Sequence, residues 1–422
     1  MKIAIATAVY YPQINGVAVF SHNLAVGLAG RGHEVMVICP SQTGRSHVEV
    51  VDGVKTVYLR SVDAKVYPDQ IHDVPERRKM LGVKMPRLIY RHGLRVSVFP
   101  QLEVKRALDE FQPDVVHVQV SDPIGLSVVW CARRRGIPVV TTEHNQPEVI
   151  TDSLKIGPLK KPVNVLLSNY FRNRQSKSDF VTMPTELAIT KLIGEGSKFP
   201  VPVAAVSNGV DLSSFKPGKV SREIYDKYGV DADVPVVLYV GRVDPEKKVE
   251  LVIEAFKEAR KIVPKMQLVV VGDGVDKVRL EGRYGEADGV KMLGKVLPPD
   301  LYELYKMGSV FATASPIETQ GLVLIEAAAS GMPLIAVNAG AVAEVCRDGE
   351  NGVLCQPGSV DEMAQAIVKV MSDDKLREKY SRRSVEIAHE HDFEKTLDKF
   401  INIYSKVVRD ASGGVELADT EG

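Results

Sequence analysis

The order of apolar and polar residues along the first half of the chain predicts alternating strands and helices. Short apolar runs bounded by polar or turn residues predict strands at residues 3–9, 35–39, 55–59, 115–118 and 138–141. Residues 17–31 predict a helix, because Val17, Phe20, Leu24 and Leu28 fall on one face at helical spacing. A strand, a helix and a second strand in this order form a βαβ unit, the building block of a parallel sheet.

The second half of the chain repeats this order of elements. It predicts strands at residues 235–240, 267–271, 310–313 and 333–337, and helices at residues 250–262 and 321–330. The alternation again implies a parallel sheet with helices on both faces. The fold class is therefore α/β, with two Rossmann-like, doubly wound domains.

The boundary between the two domains is predicted within residues 206–217. Asn208-Gly209 punctuates this segment, which lacks periodicity, and Pro217-Gly218 closes it. We expect an N-terminal domain at residues 1–206 and a C-terminal domain at residues 207–384. A helix at about residues 385–410 is expected to pack back on the first domain, and residues 411–422 have the composition of a disordered tail.

The composition excludes several classes of protein. In a chain of 422 residues, 54 basic residues balance 54 acidic ones, so no net charge draws the protein to nucleic acid. The four cysteines form no metal-binding spacing, which indicates buried thiols in a cytosolic protein. The apolar start lacks the cleavage site of a signal peptide, and no run of about 18 apolar residues predicts a membrane span.

One loop after a predicted strand carries cations where a ligand would bind. In doubly wound sheets, ligands bind at the carboxyl ends of the strands, beside the N-termini of the following helices. The loop GRVDPEKK places Arg242 and Lys247 at such a helix start, and two cations there suit a diphosphate. The alternative is a solvated charge cluster in which Asp244 and Glu246 neutralise the two bases.

A second loop precedes an apolar helix that nevertheless contains Glu326. Burying an ionised carboxylate without a partner costs free energy on the order of several kcal/mol. Either a neighbouring Arg or Lys therefore pairs with Glu326, or a ligand binds it. Glu318 lies in the loop, and the amides of Gly321, Leu322 and Val323 are expected to be open at the positive end of the helix. This arrangement suits two clusters of hydroxyl groups on either side of a diphosphate.

Glycines mark two further loops. Gly16 lies at the start of a predicted helix, where it either lets an anionic group approach the backbone or merely permits a turn. Gly272 and Gly274 form a G-x-G sequence that lacks the third glycine of a dinucleotide-binding fingerprint. NAD binding is therefore weakly supported, and the loop indicates either a plain turn or a turn that leaves room for a flat base.

Five motifs, in this order and spacing, resemble glycosyltransferase family 4. They are the NGV loop after the first strand, DVVHV at 114–118, SNGVDLSSF at 207–215, GRVDPEKK at 241–248, and ETQGLVLIE at 318–326 followed by AAASGMP. The resemblance covers nearly the whole chain and extends to members that synthesise glycolipids at membranes. It implies the GT-B architecture, with two Rossmann-like domains facing a deep cleft. It also implies retaining transfer of a hexose from a UDP- or GDP-linked sugar, with no cofactor and no metal.

The resemblance implies roles for individual residues of the two loops. Glu326 matches the residue that binds the ribose hydroxyls of the donor, and Glu318 matches a residue at the donor sugar. Arg242 and Lys247 match the cations that stabilise the leaving diphosphate, and Gly16 matches a glycine whose backbone approaches the donor. The predicted donor-binding residues are Gly16, Arg242, Lys247, Gly272, Gly321, Leu322, Val323 and Glu326.

His144 matches the family histidine that contacts the transferred sugar from the N-terminal domain. Many lipid-modifying members have Thr or Asp after this histidine, whereas here Asn145 follows it and Glu143 precedes it. His117, in the middle of a predicted strand, is interpreted as structural. The predicted catalytic residues are His144, Arg242, Lys247 and Glu318.

A basic segment at residues 76–106 points to a membrane surface. Its predicted membrane or acceptor residues are Arg77, Arg78, Lys79, Lys84, Arg87 and Arg91, with apolar residues between them. Each base near anionic headgroups contributes about 1 kcal/mol. The alternative is an ordinary solvated helix, since Pro86 interrupts any long amphipathic one. A second basic stretch lies at residues 155–177.

These observations predict a peripheral enzyme on the inner, cytoplasmic face of the plasma membrane. The expected acceptor is a glycolipid precursor such as diacylglycerol or a phosphatidylinositol, as in similar family members. One alternative is a soluble transferase that acts on a small sugar or a polysaccharide precursor. Another is a catalytically silent protein that binds nucleotide-sugars on the same fold.

Overall fold

The computed structural model describes residues 1–11, 16–63, 95–119, 122–144, 160–194 and 199–413. The chain divides into two units. The first unit comprises Met1–Val206 and Leu397–Gly422, and the second comprises Ser207–Thr396. The division after Val206 falls within the segment where Asn208-Gly209 interrupts the hydrophobic pattern.

The first unit contains an eight-stranded sheet in the order β10-β9-β8-β7-β1-β2-β4-β3. Its strands are β1 Lys2–Ala6, β2 Glu34–Pro40, β3 His47–Val51, β4 Val54–Leu59, β7 Val115–Val118, β8 Val139–Thr142, β9 Phe180–Met183 and β10 Val203–Ala205. Every pairing is parallel except that of β3 with β4. A separate antiparallel pair joins β5 Val62–Asp63 and β6 Arg95–Val96. The doubly wound α/β prediction is confirmed for this unit.

The helices of the first unit cover both faces of its sheet. They are Gly16–Gly30, Gln101–Phe111, Pro123–Arg133, Lys160–Gln175, Glu186–Ile193, and the part of Phe393–Ala411 that begins at Leu397. One hydrophobic cluster packs the apolar sides of the second and third of these helices onto β1, β2 and β7. This packing accounts for the helical spacing of the buried apolar residues in these two helices.

The first sheet differs from the prediction at the end of β1 and at three strands that were not predicted, β3, β9 and β10. The strand predicted at residues 3–9 ends at Ala6, because the Thr7 hydroxyl donates to the carbonyl of Val9 at 2.8 Å and turns the chain. The antiparallel edge strand β3 was not predicted. Its residues Val48 and Val50 are exposed, so it lacks the buried face on which the prediction depends.

The second unit contains a six-stranded parallel sheet in the order β13-β12-β11-β14-β15-β16. Its strands are β11 Val236–Val240, β12 Gln267–Val271, β13 Val290–Gly294, β14 Gly308–Thr313, β15 Leu334–Val337 and β16 Gly352–Cys355. The order reverses between β11 and β14. At such a switch point the loops diverge to opposite faces and leave a crevice at the carboxyl edge.

Helices cover both faces of this sheet as well. They are Arg222–Tyr228, Val249–Arg260, Lys277–Glu281, Asp300–Met307, Leu322–Ala329, Val360–Ser372 and Asp374–Glu390, with short 3-10 turns at Pro245–Lys247, Glu286–Asp288 and Gly340–Glu344. One hydrophobic cluster contains Phe256 and Tyr239, and a second contains Phe311 and Leu324. The apolar residues of Leu322–Ala329 are buried in the second cluster.

The single helix predicted at about residues 385–410 is in fact two helices. Asp374–Glu390 belongs to the second unit, and Phe393–Ala411 starts after a break at His391-Asp392. At the break, the amide of Val210 donates to the carbonyl of His391, and the amide of Phe393 donates to the carbonyl of Val210. These two bonds use backbone groups that a continuous helix would need, so the helix cannot run through.

Other predictions lie partly or wholly outside the described residues. The segment from Arg77 to Arg91, predicted to face a membrane, is outside them, and so are Asn145 and the tail from residue 414. The four cysteines are free and buried, as predicted. In the part of the chain that the structure describes, no helix is both long enough and apolar enough to span a membrane.

Candidate active site

Apart from Gly272, which follows β12, the predicted site residues of the second unit lie on two loops at the switch point of its sheet or on the helix after the second loop. The loop after β11 carries Arg242 and Lys247, and the loop after β14 carries Ser315 and Glu318. Because β11 and β14 are neighbouring parallel strands, their carboxyl ends bring these loops side by side.

Lys247 and Glu318 form a direct ion pair across the two loops. Nζ of Lys247 lies 2.6 Å from Oε1 of Glu318 and 3.5 Å from the Ser315 hydroxyl. Only 15% and 14% of the two charged side chains is exposed. An ion pair this sheltered is weakly screened by solvent, so each charge strongly influences the other.

The pKa of Glu318 is lowered by the charges around it. Burial would raise that pKa, but the charge of Lys247, the hydrogen bonds from Lys247 and Ser315 and the charge of Arg242 together lower it below its usual value. Glu318 is therefore ionised at neutral pH. Lys247 contacts this carboxylate directly, whereas Arg242 acts on it only through its charge.

Arg242 also has carboxylate partners of its own. Its guanidinium contacts Asp244 and lies 2.8 Å from Oε1 of Glu246, while 44% of the side chain remains exposed. The Tyr239 hydroxyl donates to the backbone carbonyl of Arg242 at 2.8 Å and holds the start of the loop. Asp244 and Glu246 therefore neutralise Arg242, as the charge-cluster interpretation of the sequence expects, and binding of a diphosphate by Arg242 stays a prediction.

Glu326 lies on the second turn of helix Leu322–Ala329, and its partner is neither an Arg nor a Lys. The Tyr305 hydroxyl donates to Oε2 of Glu326, and Tyr305 is fully buried. Burial raises the pKa of Glu326, and the hydrogen bond from Tyr305 offsets part of that rise. Within the described residues, Oε1 of Glu326 has no hydrogen-bond partner. One carboxylate oxygen is thus anchored, and binding of a ligand by Glu326 stays a prediction.

The helix that carries Glu326 begins directly after the Glu318 loop. Gly321 precedes it with a φ of 77°, a conformation that glycine adopts without strain. The amides of Leu322 and Val323 in the first turn have no intrahelical acceptor, and no described side chain caps them. These open amides add positive potential next to the two cations.

Side chains that the sequence analysis did not identify hold this loop in place. The Gln320 side chain accepts from the amide of Asn208 at 3.1 Å and donates to Ser207 at 2.5 Å. The carbonyl of Glu318 accepts from the amide of Ala341 at 3.1 Å. The SNGVD segment therefore supports the Glu318 loop. The sequence analysis identified this segment as a motif but assigned it no structural role.

Gly272 has a packing role in addition to any role toward a ligand. A Cβ atom at this position would lie 1.8 Å from the carbonyl oxygen of Gly241. A Cβ at Gly274 would lie 2.0 Å from the carbonyl oxygen of Val243. The two glycines therefore let the loop after β12 pack against the loop that carries Arg242. Contact of Gly272 with a donor stays a prediction.

His144 and Gly16 belong to the first unit and lie at the carboxyl edge of its sheet. His144 follows β8, and Gly16 is the first residue of the helix that follows β1. His144 packs edge-on against Phe20 of that helix, with ring centroids 5.3 Å apart, and its Nε2 lies 2.8 Å from Oε1 of Gln119. Burial lowers the pKa of His144 to about 4, so the ring is neutral at pH 7. A Cβ added at Gly16 would meet nothing within 4 Å.

Known families account for both units. A family model described as "Glycosyltransferase Family 4" matches residues 14–214, and one described as "Glycosyl transferases group 1" matches residues 220–386. Among solved structures, sucrose-phosphate synthase from Thermosynechococcus elongatus has a TM-score of 0.72 at 20% identity. That match covers 97% of this chain and 99% of the other. The fold is that of a GT-B glycosyltransferase. More specifically, the chain belongs to glycosyltransferase family 4.

Two curated relatives show how the family varies. The "Alpha-monoglucosyldiacylglycerol synthase" of Streptococcus pneumoniae is 28% identical over 345 residues, which cover 80% of this chain and 71% of the relative. The "N-acetyl-alpha-D-glucosaminyl L-malate synthase" of Bacillus anthracis is 26% identical over 425 residues, which cover 98% of this chain and 100% of the relative. The first name describes a glycolipid product and the second a product built on a small acid.

Proposed function

We propose that this glycosyltransferase transfers a hexose from a UDP- or GDP-linked sugar to a hydroxyl group of a membrane lipid, with retention at the anomeric carbon. The observation that carries the proposal is the ion pair of Lys247 with Glu318, in the loop that leads into the open amides of helix Leu322–Ala329. Cations and helix amides grouped in this way suit a diphosphate better than any other common ligand.

The donor is proposed to bind in the second unit. Its diphosphate would lie on the open amides of Leu322 and Val323 and replace carboxylates as the partner of Arg242 and Lys247. The ribose hydroxyls would donate to the unoccupied Oε1 of Glu326, whose other oxygen Tyr305 holds in place. Glu318 would then be free to accept from a hydroxyl of the sugar.

The chemistry asks for charge stabilisation more than for a strong nucleophile. As the bond between sugar and phosphate breaks, negative charge develops on the leaving diphosphate and positive charge on the sugar ring. Fixed cations and amide dipoles stabilise the first of these charges, in place of a metal ion. For retention, we propose that the acceptor hydroxyl attacks from the face that the diphosphate leaves and passes its proton to a leaving-group oxygen.

A panel of donors tests the nucleotide-sugar part of the proposal. We expect one of UDP-glucose, UDP-galactose or GDP-mannose to raise the melting temperature and to be turned over, since a bound ligand stabilises the folded state. Lys247→Ala should abolish the shift, whereas Lys261→Ala, which removes an exposed lysine paired with Glu258, should retain it. A wild-type protein that binds a donor but hydrolyses or transfers none of it would support the catalytically silent alternative.

Three features support a lipid acceptor at an anionic membrane. The Streptococcus relative is named for a glycolipid product, the chain carries the basic segment from Arg77 to Arg91, and apolar side chains are exposed in the first unit. Phe99 is 85% exposed and Leu102 is 81% exposed. A nearby cavity of about 390 Å³ is lined by Trp130 and by four bases: Arg133, Arg134, Arg174 and Lys177. Bases beside exposed apolar groups favour an anionic lipid surface.

Vesicle sedimentation tests this acceptor assignment. We expect the protein to sediment with vesicles that contain phosphatidylglycerol at low salt, and to be released at high salt. Replacing Phe99 and Leu102 by serine should weaken sedimentation, whereas Ile262→Ser, which removes an apolar residue of the second unit that is 70% exposed, should not.

A second candidate is transfer to a small soluble acceptor. The observation in its favour is the Bacillus relative, whose name describes a malate product and which aligns with 98% of this chain. A protein that stays in solution with anionic vesicles and turns over a donor with a small hydroxy acid or sugar would establish this alternative.

A further inference from the structure

Gln119 connects the predicted sugar-contacting histidine to a buried group of polar side chains in the first unit. Gln119 directly follows β7, and its side chain is fully buried. At one end of its amide, Oε1 lies 2.8 Å from Nε2 of His144. At the other end, Nε2 lies 3.3 Å from both ring nitrogens of His117. The amide therefore lies between two histidines, His117 and His144.

His117 is itself held firmly on both sides. Its Nδ1 lies 2.7 Å from the Tyr404 hydroxyl, and its Nε2 lies 2.6 Å from the Thr142 hydroxyl. The Thr142 hydroxyl in turn lies 2.6 Å from that of Thr182. His117 is completely buried, and its burial lowers its pKa to about 3, with a further contribution from His144. The ring is neutral and fixed, so it offers Gln119 a rigid surface.

The position of His117 decides which way the Gln119 amide points. The amide nitrogen of Gln119 is equally far from both ring nitrogens of His117. It therefore lies against the face of the ring and not in line with the lone pair of one nitrogen. The face of an aromatic ring is negative and attracts an N–H group, whereas it repels a carbonyl oxygen. The amide nitrogen therefore stays at His117, and the amide oxygen is directed at His144.

The orientation of the amide sets the protonation of His144. An amide oxygen only accepts hydrogen bonds, so Nε2 of His144 must carry the proton in this contact. A neutral imidazole has one proton, which leaves the lone pair on Nδ1. We propose that Gln119 is a positioning residue that holds His144 as the Nε2–H tautomer, so that Nδ1 is the atom that accepts a hydrogen bond from a sugar hydroxyl. The identity of the sugar as ligand rests on the proposed function, whereas the tautomer does not.

Tyr404 extends this arrangement to the last helix of the chain. It lies on Phe393–Ala411, in the part that belongs to the first unit, and Phe400 of the same helix contacts the rings of both His117 and Phe20. Phe20 in turn packs against His144. The C-terminal helix thus supports His144 through two routes, one polar through His117 and Gln119 and one apolar through Phe20.

The tautomer is directly measurable by long-range ¹H–¹⁵N NMR of the histidine side chains in the full chain, with His144→Gln and His117→Gln spectra for assignment. We expect the wild-type His144 at pH 7 to show a protonated Nε2 and an unprotonated Nδ1. Gln119→Met preserves the volume but removes the acceptor, and should give a mixture of tautomers. Gln119→Glu retains an acceptor oxygen and should restore proton occupancy on Nε2. Gln365→Leu, which removes an exposed glutamine in the second unit, should leave the spectrum unchanged.

Kinetics provide the second measurement. Gln119→Met is expected to lower kcat about two- to tenfold with a smaller change in the donor KM, as for the loss of one hydrogen bond, and Gln119→Glu to restore part of it. Wild-type His144 with its proton on Nδ1, or a Gln119→Met spectrum identical to that of the wild type, would overturn the proposal. An Nε2–H signal in a protein that transfers no sugar would support the positioning role of Gln119 and refute the proposed function alone.

Discussion

The ammonium group of Lys247 lies 2.6 Å from the carboxylate of Glu318, although the two residues are 71 positions apart in the chain. Neighbouring parallel strands bring them together, because Lys247 follows β11 and Glu318 follows β14. Without a ligand, each of these charges is the other's partner. A diphosphate that binds Lys247 therefore replaces one anionic partner of the lysine by another. This costs less than placing an unpaired charge in a sheltered site.

Removing the lysine should test how much this pair contributes to folding. Lys247→Met leaves the carboxylate of Glu318 sheltered and without its nearest cation, so we expect the free energy of unfolding to fall by about 2 kcal/mol. Urea unfolding followed by circular dichroism measures the change. Lys261→Met removes an exposed lysine of the same unit and should change the free energy of unfolding by less than about 0.5 kcal/mol. Equal effects of the two substitutions would contradict the importance of the pair.

The two glutamates of the site should give opposite pH dependence. The pKa of Glu318 in the folded state is below the ordinary value of 4.5, so its contribution to stability is present above that pH and is lost as the pH falls through the folded pKa. The pKa of Glu326 is raised, so the folded state binds its proton more tightly and ionisation of Glu326 lowers stability as the pH rises.

Substitutions separate these two contributions. At pH 8 we expect Glu326→Gln to raise the free energy of unfolding by about 1 kcal/mol and Glu318→Gln to lower it by a similar amount. Near pH 4.5 the gain from Glu326→Gln should shrink, because the wild-type carboxyl is then protonated in the folded state. Urea unfolding at the two pH values measures both effects, and a gain that grows toward low pH would show the assignment of Glu326 to be wrong.

Tyr305 should affect nucleotide binding although its hydroxyl is buried and faces Glu326. In the wild type, the hydrogen bond from Tyr305 holds one oxygen of the Glu326 carboxylate and lowers the pKa of Glu326. Tyr305→Phe removes this hydrogen bond. We expect the Kd for the nucleoside diphosphate to rise about five- to tenfold, equivalent to about 1 kcal/mol. Isothermal titration calorimetry with UDP and GDP measures this. Tyr302→Phe, in the same helix, should leave the Kd unchanged, and an equal loss in both variants would point to damage of the helix.

Gly272 should tolerate no side chain, because its backbone contacts that of Gly241. A Cβ would lie 1.8 Å from the Gly241 carbonyl oxygen, and the φ of Gly272 is 141°. We expect Gly272→Ala to lower the free energy of unfolding by at least about 3 kcal/mol and to displace the loop that carries Arg242. At Gly285 a Cβ would meet nothing within 4 Å, so Gly285→Ala is the matched control and should cost less than about 1 kcal/mol.

Much of the fold follows from local patterns in the sequence. The strands Val115–Val118 and Gln267–Val271 have the predicted bounds, because strands buried on both faces are largely apolar; the polar exceptions are His117 inside the first and Gln267 at the start of the second. Edge strand β3 was not predicted, since its exposed valines carry no signal of burial, and the buried strand β9 was not predicted either. The break between Glu390 and Phe393 was not predicted either, because it depends on backbone hydrogen bonds to Val210, which is distant in the sequence.

For this protein, the sequence by itself determined which chemistry is present: two cations, two glutamates and a helix start, each following a strand of a parallel sheet. Only the tertiary structure decided the partners of these groups. Glu326 is paired with Tyr305, Glu318 with Lys247 and His144 with Gln119. The physical reason is that hydrophobic periodicity reports whether a position is buried, whereas a hydrogen bond depends on which distant side chain packing brings within about 3 Å.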